Sequence, residues 1–176
     1  MNKLFSALAL AAALSAPALA NDLYIGADIG RSDIEVDAGN GFTVSKDSTS
    51  FAVFGGVQFH KNFAAELAYR DLGELKSGNA KLSAYALQAS LLGSLPVSNE
   101  FSLLGRVGLA SINAEYRESG FGYSYSEDSS ETKPFFGVGA RYAVNKQLGI
   151  RAEYNQYAEI EDTTISTMTV GVDYRF

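Results

Sequence analysis

Five arginines and four carboxylates share one face of the predicted strands, where they could form a paired charge network. The cations are Arg70, Arg106, Arg141, Arg151 and Arg175, and the anions are Asp28, Glu66, Glu153 and Asp173. All five cations are Arg and none is Lys, which favours buried bidentate pairing because the planar guanidinium matches a carboxylate. Two uses of this network stay open: a structural core that fixes strand register, and a charge gate that passes small ions.

The sequence offers little else for catalysis or metal binding. His60 is the only His, and the chain has no Cys. This His lies in a short turn beside Lys61 and Asn62, so a Ser-His-Asp triad or a His-based metal site lacks its other members. We therefore predict a solvated turn His, no catalytic residue, no metal, no cofactor and no enzymatic activity.

The elements that must position the charges are β-strands, because hydrophobic residues recur with period two rather than with a helical period. This alternation predicts eight strands, near 23–36, 49–60, 63–73, 82–95, 101–116, 134–144, 148–158 and 164–176. The connections take turns in length. Three short turns lie at 60–62, 96–100 and 145–147, and four longer polar loops lie near 37–48, 74–81, 117–133 and 159–163. This order is typical of an up-and-down antiparallel meander with one elaborated end.

The composition of the two strand faces decides between a soluble sandwich and a membrane barrel. The polar face carries Gly and Ala beside its charges, as a crowded interior does. Aromatic residues on the apolar face fall near the strand ends: Phe59, Phe63, Phe101, Tyr142, Tyr174 and Phe176 at the short-turn end, and Phe51, Tyr69, Tyr85, Phe136 and Tyr154 at the long-loop end. Two aromatic girdles flanking an apolar band are typical of transmembrane β-barrels. We predict an all-β, eight-stranded antiparallel up-and-down transmembrane β-barrel.

The first twenty residues have the three parts of a secretory signal peptide. Lys3 supplies the positive region, an apolar stretch follows, and Ala18-Leu19-Ala20 is a small-x-small cleavage site. The predicted organisation is therefore a cleaved signal peptide over 1–20 and one barrel domain over 21–176. The net charge of −6 argues against nucleic-acid binding, which favours a basic surface. The long-loop end holds 14 of the acidic and 6 of the basic residues.

The chain resembles the OmpA/OmpX-type family of small outer-membrane barrels of Gram-negative bacteria. The resemblance rests on 24–27 (YIGA), 136–142 (FGVGARY), 148–154 (LGIRAEY) and 170–176 (VGVDYRF). It implies location in the outer membrane, four loops outside the cell and both termini in the periplasm. It also implies that Tyr174 and Phe176 form a C-terminal signal for the assembly machinery, and that the peptidoglycan-binding domain of full-length OmpA proteins is absent here. Enzymes among small barrels use a His near the outer leaflet, and His60 is at the opposite end.

The third long loop is the candidate interaction surface, because Phe121, Tyr123 and Tyr125 alternate with Gly and Ser there. The alternation could extend the fifth and sixth strands as a hairpin. We expect a non-enzymatic monomer in contact with membrane lipid and lipopolysaccharide, with adhesion or serum resistance arising through loops 1 and 3 and a host or extracellular ligand as partner. The alternatives are a narrow pore for small solutes and, last, a lipid A-modifying enzyme.

Overall fold

The computed structural model describes residues 23–37, 43–77, 80–120, 123–158 and 163–176. The predicted signal peptide lies outside these residues. Eight strands account for most of the described chain: β1 Leu23–Asp37, β2 Thr43–His60, β3 Phe63–Ser77, β4 Ala80–Pro96, β5 Phe101–Gly120, β6 Tyr123–Ala143, β7 Leu148–Tyr157 and β8 Thr163–Arg175. Each strand pairs antiparallel with the next and β1 pairs with β8, so the sheet closes into a barrel. The predicted fold is confirmed.

Among the described residues, no helix is long and apolar enough to span a bilayer.

The alternation seen in the sequence sorts side chains to the two sides of the barrel wall. In β7, Ile150 and Tyr154 are exposed on the outside, whereas Arg151 and Glu153 are buried in the lumen. Val138 of β6 and Val170 of β8 are more than half exposed. A continuous band of exposed aliphatic side chains around buried charges is the reverse of a soluble protein and suits a wall surrounded by lipid.

Most of the aromatic residues predicted for the girdles have exposed side chains on the outside of the barrel. The side chain of Tyr85 is less exposed than the others. The side chains of Phe59, Phe63, Phe136 and Tyr142 are each about half exposed or more. Tyr85 is half-buried because its ring stacks on Tyr69 at 5.7 Å between centroids. Aromatic rings therefore mark both ends of the apolar band.

Three of the four long connections predicted from the sequence are shorter than expected, because the strands continue into them. Most of the fourth, at 159–163, lies outside the described residues. The segment predicted as a loop over 117–133 instead forms the paired ends of β5 and β6, which reach Gly120 and Tyr123. Likewise β2 begins at Thr43 and β3 ends at Ser77. The extension of β5 and β6 confirms the hairpin that the alternation of Phe121, Tyr123 and Tyr125 predicts. Over 126–133 both strand faces are polar, so the alternation is lost there while the backbone pairing continues.

Above the membrane the barrel opens into two sheets. Pairing between β2 and β3 stops at Phe51 and Asp71. Pairing between β6 and β7 stops at Phe135 and Tyr157, with one further bond from the N–H of Ala158 to the carbonyl of Pro134. Within the described residues, β8, β1 and β2 continue as one sheet and β3 to β6 as the other.

A bulge in β3 lies where the pairing between β2 and β3 stops. The register with β4 shifts between Asp71 and Gly73, which leaves Leu72 as the extra residue. Gly73 has a φ of 97°, a conformation that side chains other than Gly disfavour. A Cβ there would also meet the hydroxyl of Ser48. The bulge directs Leu72 into the lumen, where it is buried.

Candidate functional site

Glu66 of β3 is the centre of the charge network in the lumen. It is 2% exposed and pairs with two arginines on strands that do not neighbour β3. Its Oε1 lies 2.5 Å from Nη1 of Arg106 on β5, and its Oε2 lies 2.9 Å from Nη1 of Arg151 on β7. The hydroxyl of Tyr24 on β1 donates to the same Oε2 at 3.0 Å. One carboxylate thus joins four strands across the barrel interior.

Glu153 completes a four-membered ion cluster with the same two arginines. The Nε atoms of Arg106 and Arg151 each lie 3.0 Å from an oxygen of Glu153. The guanidinium of Arg151 also lies 3.4 Å above the ring centroid of Phe54, a cation–π contact. Two cations and two anions therefore neutralise one another at the middle of the lumen.

Two further pairs lie on either side of this central cluster. At the long-loop end, Arg70 donates from both terminal nitrogens to Asp28, at 2.8 and 2.9 Å. At the short-turn end, Arg141 forms a second bidentate pair, donating to Asp173 at 2.8 and 2.6 Å. Every residue of the predicted network therefore lies in the lumen, and each carboxylate faces at least one guanidinium.

An apolar cluster above the charges was missed by the sequence analysis. In strand order, its members are Leu72, Ala86, Ala110, Ile112, Phe135, Tyr157 and Ile165. The rings of Phe135 and Tyr157 stack at 5.4 Å, and the amide of Gln88 donates to the Tyr157 hydroxyl at 2.5 Å. Extending the alternation of each strand toward the long-loop end, and taking the positions that face the lumen, would have predicted this cluster. We name it the outer plug, because it fills the lumen at the long-loop end.

Gly149 on the inner face leaves room for Arg141, and this predicts different effects of Ala substitution on the two faces of the barrel wall. A Cβ at Gly149 would meet the guanidinium of Arg141, whereas a Cβ at lipid-facing Gly105 would have no atom within 4 Å. We expect Gly149→Ala to lower the free energy of unfolding by about 1–3 kcal/mol through overpacking.

Urea unfolding in lipid vesicles measures the Gly149 effect, and Gly105→Ala is the control. The control is expected to remain near the wild-type stability. Equal stability of the two variants would contradict the packing assigned to Arg141.

The remaining predicted residues lie away from the lumen. His60 is exposed in the β2–β3 turn, where its Nδ1 accepts from the N–H of Asn62 at 3.2 Å. No group of three or more possible metal ligands occurs among the described residues. Tyr123 and Tyr125 belong to β6, and Phe121 lies outside the described residues. Phe176 is half exposed, and its N–H donates to the carbonyl of Leu23 at 3.1 Å.

The closed antiparallel sheet, the apolar outer band and the charged lumen define a transmembrane β-barrel. The sequence profile of the family described as "Outer membrane protein beta-barrel domain" matches residues 6–176. The chain belongs to that family, and it is a protein of the Gram-negative outer membrane.

Curated relatives and solved structures agree with this assignment. The chain is 26% identical to Outer membrane protein P5 of Haemophilus influenzae over 96% of its length and 58% of the relative. It is 27% identical to Outer membrane protein A of Escherichia coli O157:H7, over 89% of the chain and 48% of the relative. The chain thus spans about half the length of the curated relatives it matches.

Two solved barrels share the fold at low identity. Neisserial surface protein A superimposes with a TM-score of 0.69 at 18% identity, covering 88% of this chain and 97% of that one. Ail of Yersinia pestis, crystallised with the heparin analogue sucrose octasulfate, gives a TM-score of 0.60 at 18% identity, covering 88% of this chain and 99% of that one. At this identity the likeness concerns the fold alone.

Proposed function

We propose that the chain is a non-enzymatic surface protein whose protruding β5–β6 hairpin binds another protein, in adhesion to host cells or in serum resistance. The observation that carries the proposal is an open strand edge. β6 pairs with β5 along its length from Tyr123, but its pairing with β7 begins only at Phe135, apart from the bond at Pro134. No other described residue pairs with β6 between Tyr123 and Lys133.

The hydrogen bond at Pro134 shows which backbone groups of β6 face the open edge. Its carbonyl points toward β7, and backbone groups alternate in direction along an antiparallel strand. The N–H and C=O groups that face the open edge are therefore those of Ser124, Ser126, Asp128, Ser130 and Thr132. A row of unpaired backbone groups on an edge strand can accept an added strand from a partner.

The charge near the edge favours a basic partner segment. The stretch from Tyr123 to Lys133 contains Glu127, Asp128 and Glu131 but only one cation, Lys133 itself. The crystallised form of Ail holds a polysulfated heparin analogue, but an acidic surface repels such a ligand. We therefore propose an extended, Lys- or Arg-rich protein segment as the occupant here.

Proline in place of edge-facing serines is expected to abolish binding. The double change Ser126→Pro and Ser130→Pro removes two N–H donors from the open edge and leaves the donors that face β5 intact. Cells displaying the intact chain should adhere to host-cell monolayers or capture serum proteins, and cells displaying the proline variant should lose that binding.

Two further variants distinguish binding through the backbone edge from binding through the serine side chains. The double change Ser126→Ala and Ser130→Ala keeps both N–H groups and should bind like the intact chain. Deletion of 119–130 should abolish binding. Binding that survives this deletion would refute the proposed role of the hairpin.

The filled lumen favours a barrel that does not conduct ions over the alternative of a narrow pore for small solutes. The buried cluster around Glu66 and the outer plug fill its middle and its outer end, and eight strands leave room for little more than side chains. The same charges therefore support a structural core.

A further inference from the structure

We propose that the periplasmic mouth of the barrel is a binding site for a small monovalent anion, with Arg175 as the residue that recognises it. The site is separate from the hairpin, and no part of the proposed function depends on it. The inference starts from the charge balance of the lumen.

One guanidinium in the lumen has no carboxylate of its own. Asp28, Glu66, Glu153 and Asp173 are matched by Arg70, Arg106, Arg151 and Arg141. Arg175 is the fifth cation. Its Nε lies 4.0 Å from Asp173, whose two oxygens are already held by Arg141. A terminal nitrogen of Arg175 donates to the neutral amide oxygen of Gln58.

Arg175 lies where a ligand from the periplasm can reach it. Its side chain is 35% exposed, compared with 4% for Arg151, and its guanidinium rests 5.6 Å from the ring centroid of Tyr24. A cavity of about 20 Å³ adjoins it, lined by polar side chains such as Arg141, Asp173 and Asn62 and by apolar ones such as Leu92 and Leu104. Of the three guanidiniums that line this cavity, Arg141 is neutralised by Asp173 and Arg151 by the central cluster, so Arg175 leaves one unbalanced positive charge there.

The geometry of the cavity limits both the access and the size of the ligand. The ion cluster around Glu66 and the outer plug separate it from the cell surface. A volume of about 20 Å³ accommodates one water-sized group. The ligand is therefore an ion such as chloride, or one oxygen of a carboxylate that reaches in from the periplasm.

Side-chain NMR of the refolded chain in detergent micelles tests the site. Sodium chloride and sodium acetate are titrated separately, with the sodium salt of a bulky sulfonate, which has no carboxylate group, keeping the ionic strength constant. We expect a saturable shift of the Arg175 Nε–H resonance. Saturation by both salts assigns a site for any small anion, and saturation by acetate alone assigns a carboxylate site.

Three variants identify the residue responsible. Arg175→Gln should lose the saturable response, observed on the neighbouring Arg141 Nε–H signal, while keeping the folded spectrum. Arg175→Lys retains the positive charge and should restore it. Arg31→Gln removes an exposed cation at the opposite end of the barrel and should leave it unchanged. A shift that grows linearly with salt, or that persists in Arg175→Gln, would overturn the proposal.

Discussion

Replacing Glu66 by Gln is expected to lower the free energy of unfolding by about 3–5 kcal/mol, because it removes one partner from a buried ion cluster. The amide keeps the shape of the carboxylate but leaves Arg106 and Arg151 with a single anion, Glu153, between them. It also changes the acceptor of the Tyr24 hydroxyl. The loss should therefore come from unbalanced charge rather than from a cavity.

Urea unfolding in lipid vesicles, followed by circular dichroism because the chain contains no Trp, measures the effect of Glu66→Gln. Glu100→Gln is the matched control, because Glu100 is exposed in the β4–β5 turn. The control should remain within about 0.5 kcal/mol of the wild type. If Glu66→Gln is no less stable than Glu100→Gln, the central cluster does not stabilise the barrel.

Placing a charge on the lipid-facing wall should produce the second large effect. Val170 of β8 is 55% exposed, and in a soluble protein such a residue tolerates Arg with little change in stability. In a bilayer, Val170→Arg is expected to cost about 2–4 kcal/mol, because Arg near the midplane loses its hydration.

Thr132→Arg provides the comparison for Val170→Arg. Thr132 is also exposed on β6, but it lies beyond the outer girdle residue Phe136. We expect little change for Thr132→Arg, measured by the same unfolding assay in vesicles. Equal costs at the two positions would show that the exposed aliphatic band does not face lipid.

The sequence predicts the membrane-spanning part of each strand because burial there obeys one rule. Inside the apolar band, every second side chain faces lipid, so Ile150 and Arg151 are assigned to opposite faces by position alone. Beyond the band, water meets both faces and the rule disappears. The alternation of Phe121, Tyr123 and Tyr125 predicts that the fifth and sixth strands extend as a hairpin, and the pairing of β5 and β6 out to Gly120 and Tyr123 confirms it. Over 126–133 polar residues occupy both faces, so only the pairing with β5 shows that β6 continues there.

The identities of the charged residues are predictable, but their partners are not. The arginine-only cation set indicates buried pairs, since Arg fits a carboxylate in a bidentate manner. That Glu66 contacts Arg106 and Arg151 depends on strand tilt and register around the closed barrel. The outer plug was not predicted for a different reason. Phe135 and Phe136 are adjacent and of the same type, so only the alternation along β6 shows that Phe135 faces the lumen and Phe136 faces lipid.

The reach of Glu66 has a consequence for how the barrel assembles. Its partners lie on β1, β5 and β7, whereas hairpins that form first join only neighbours in sequence. In a partly assembled, open sheet, we expect Glu66 to lie apart from Arg106 and Arg151, whereas Arg151 can still pair with Glu153 on its own strand. Sealing of β1 against β8 brings all of them together at once, so intermediates with an open seam carry an electrostatic penalty that vanishes at the final step. The lumen thereby makes barrel closure cooperative, and it resists later opening of the wall at that seam.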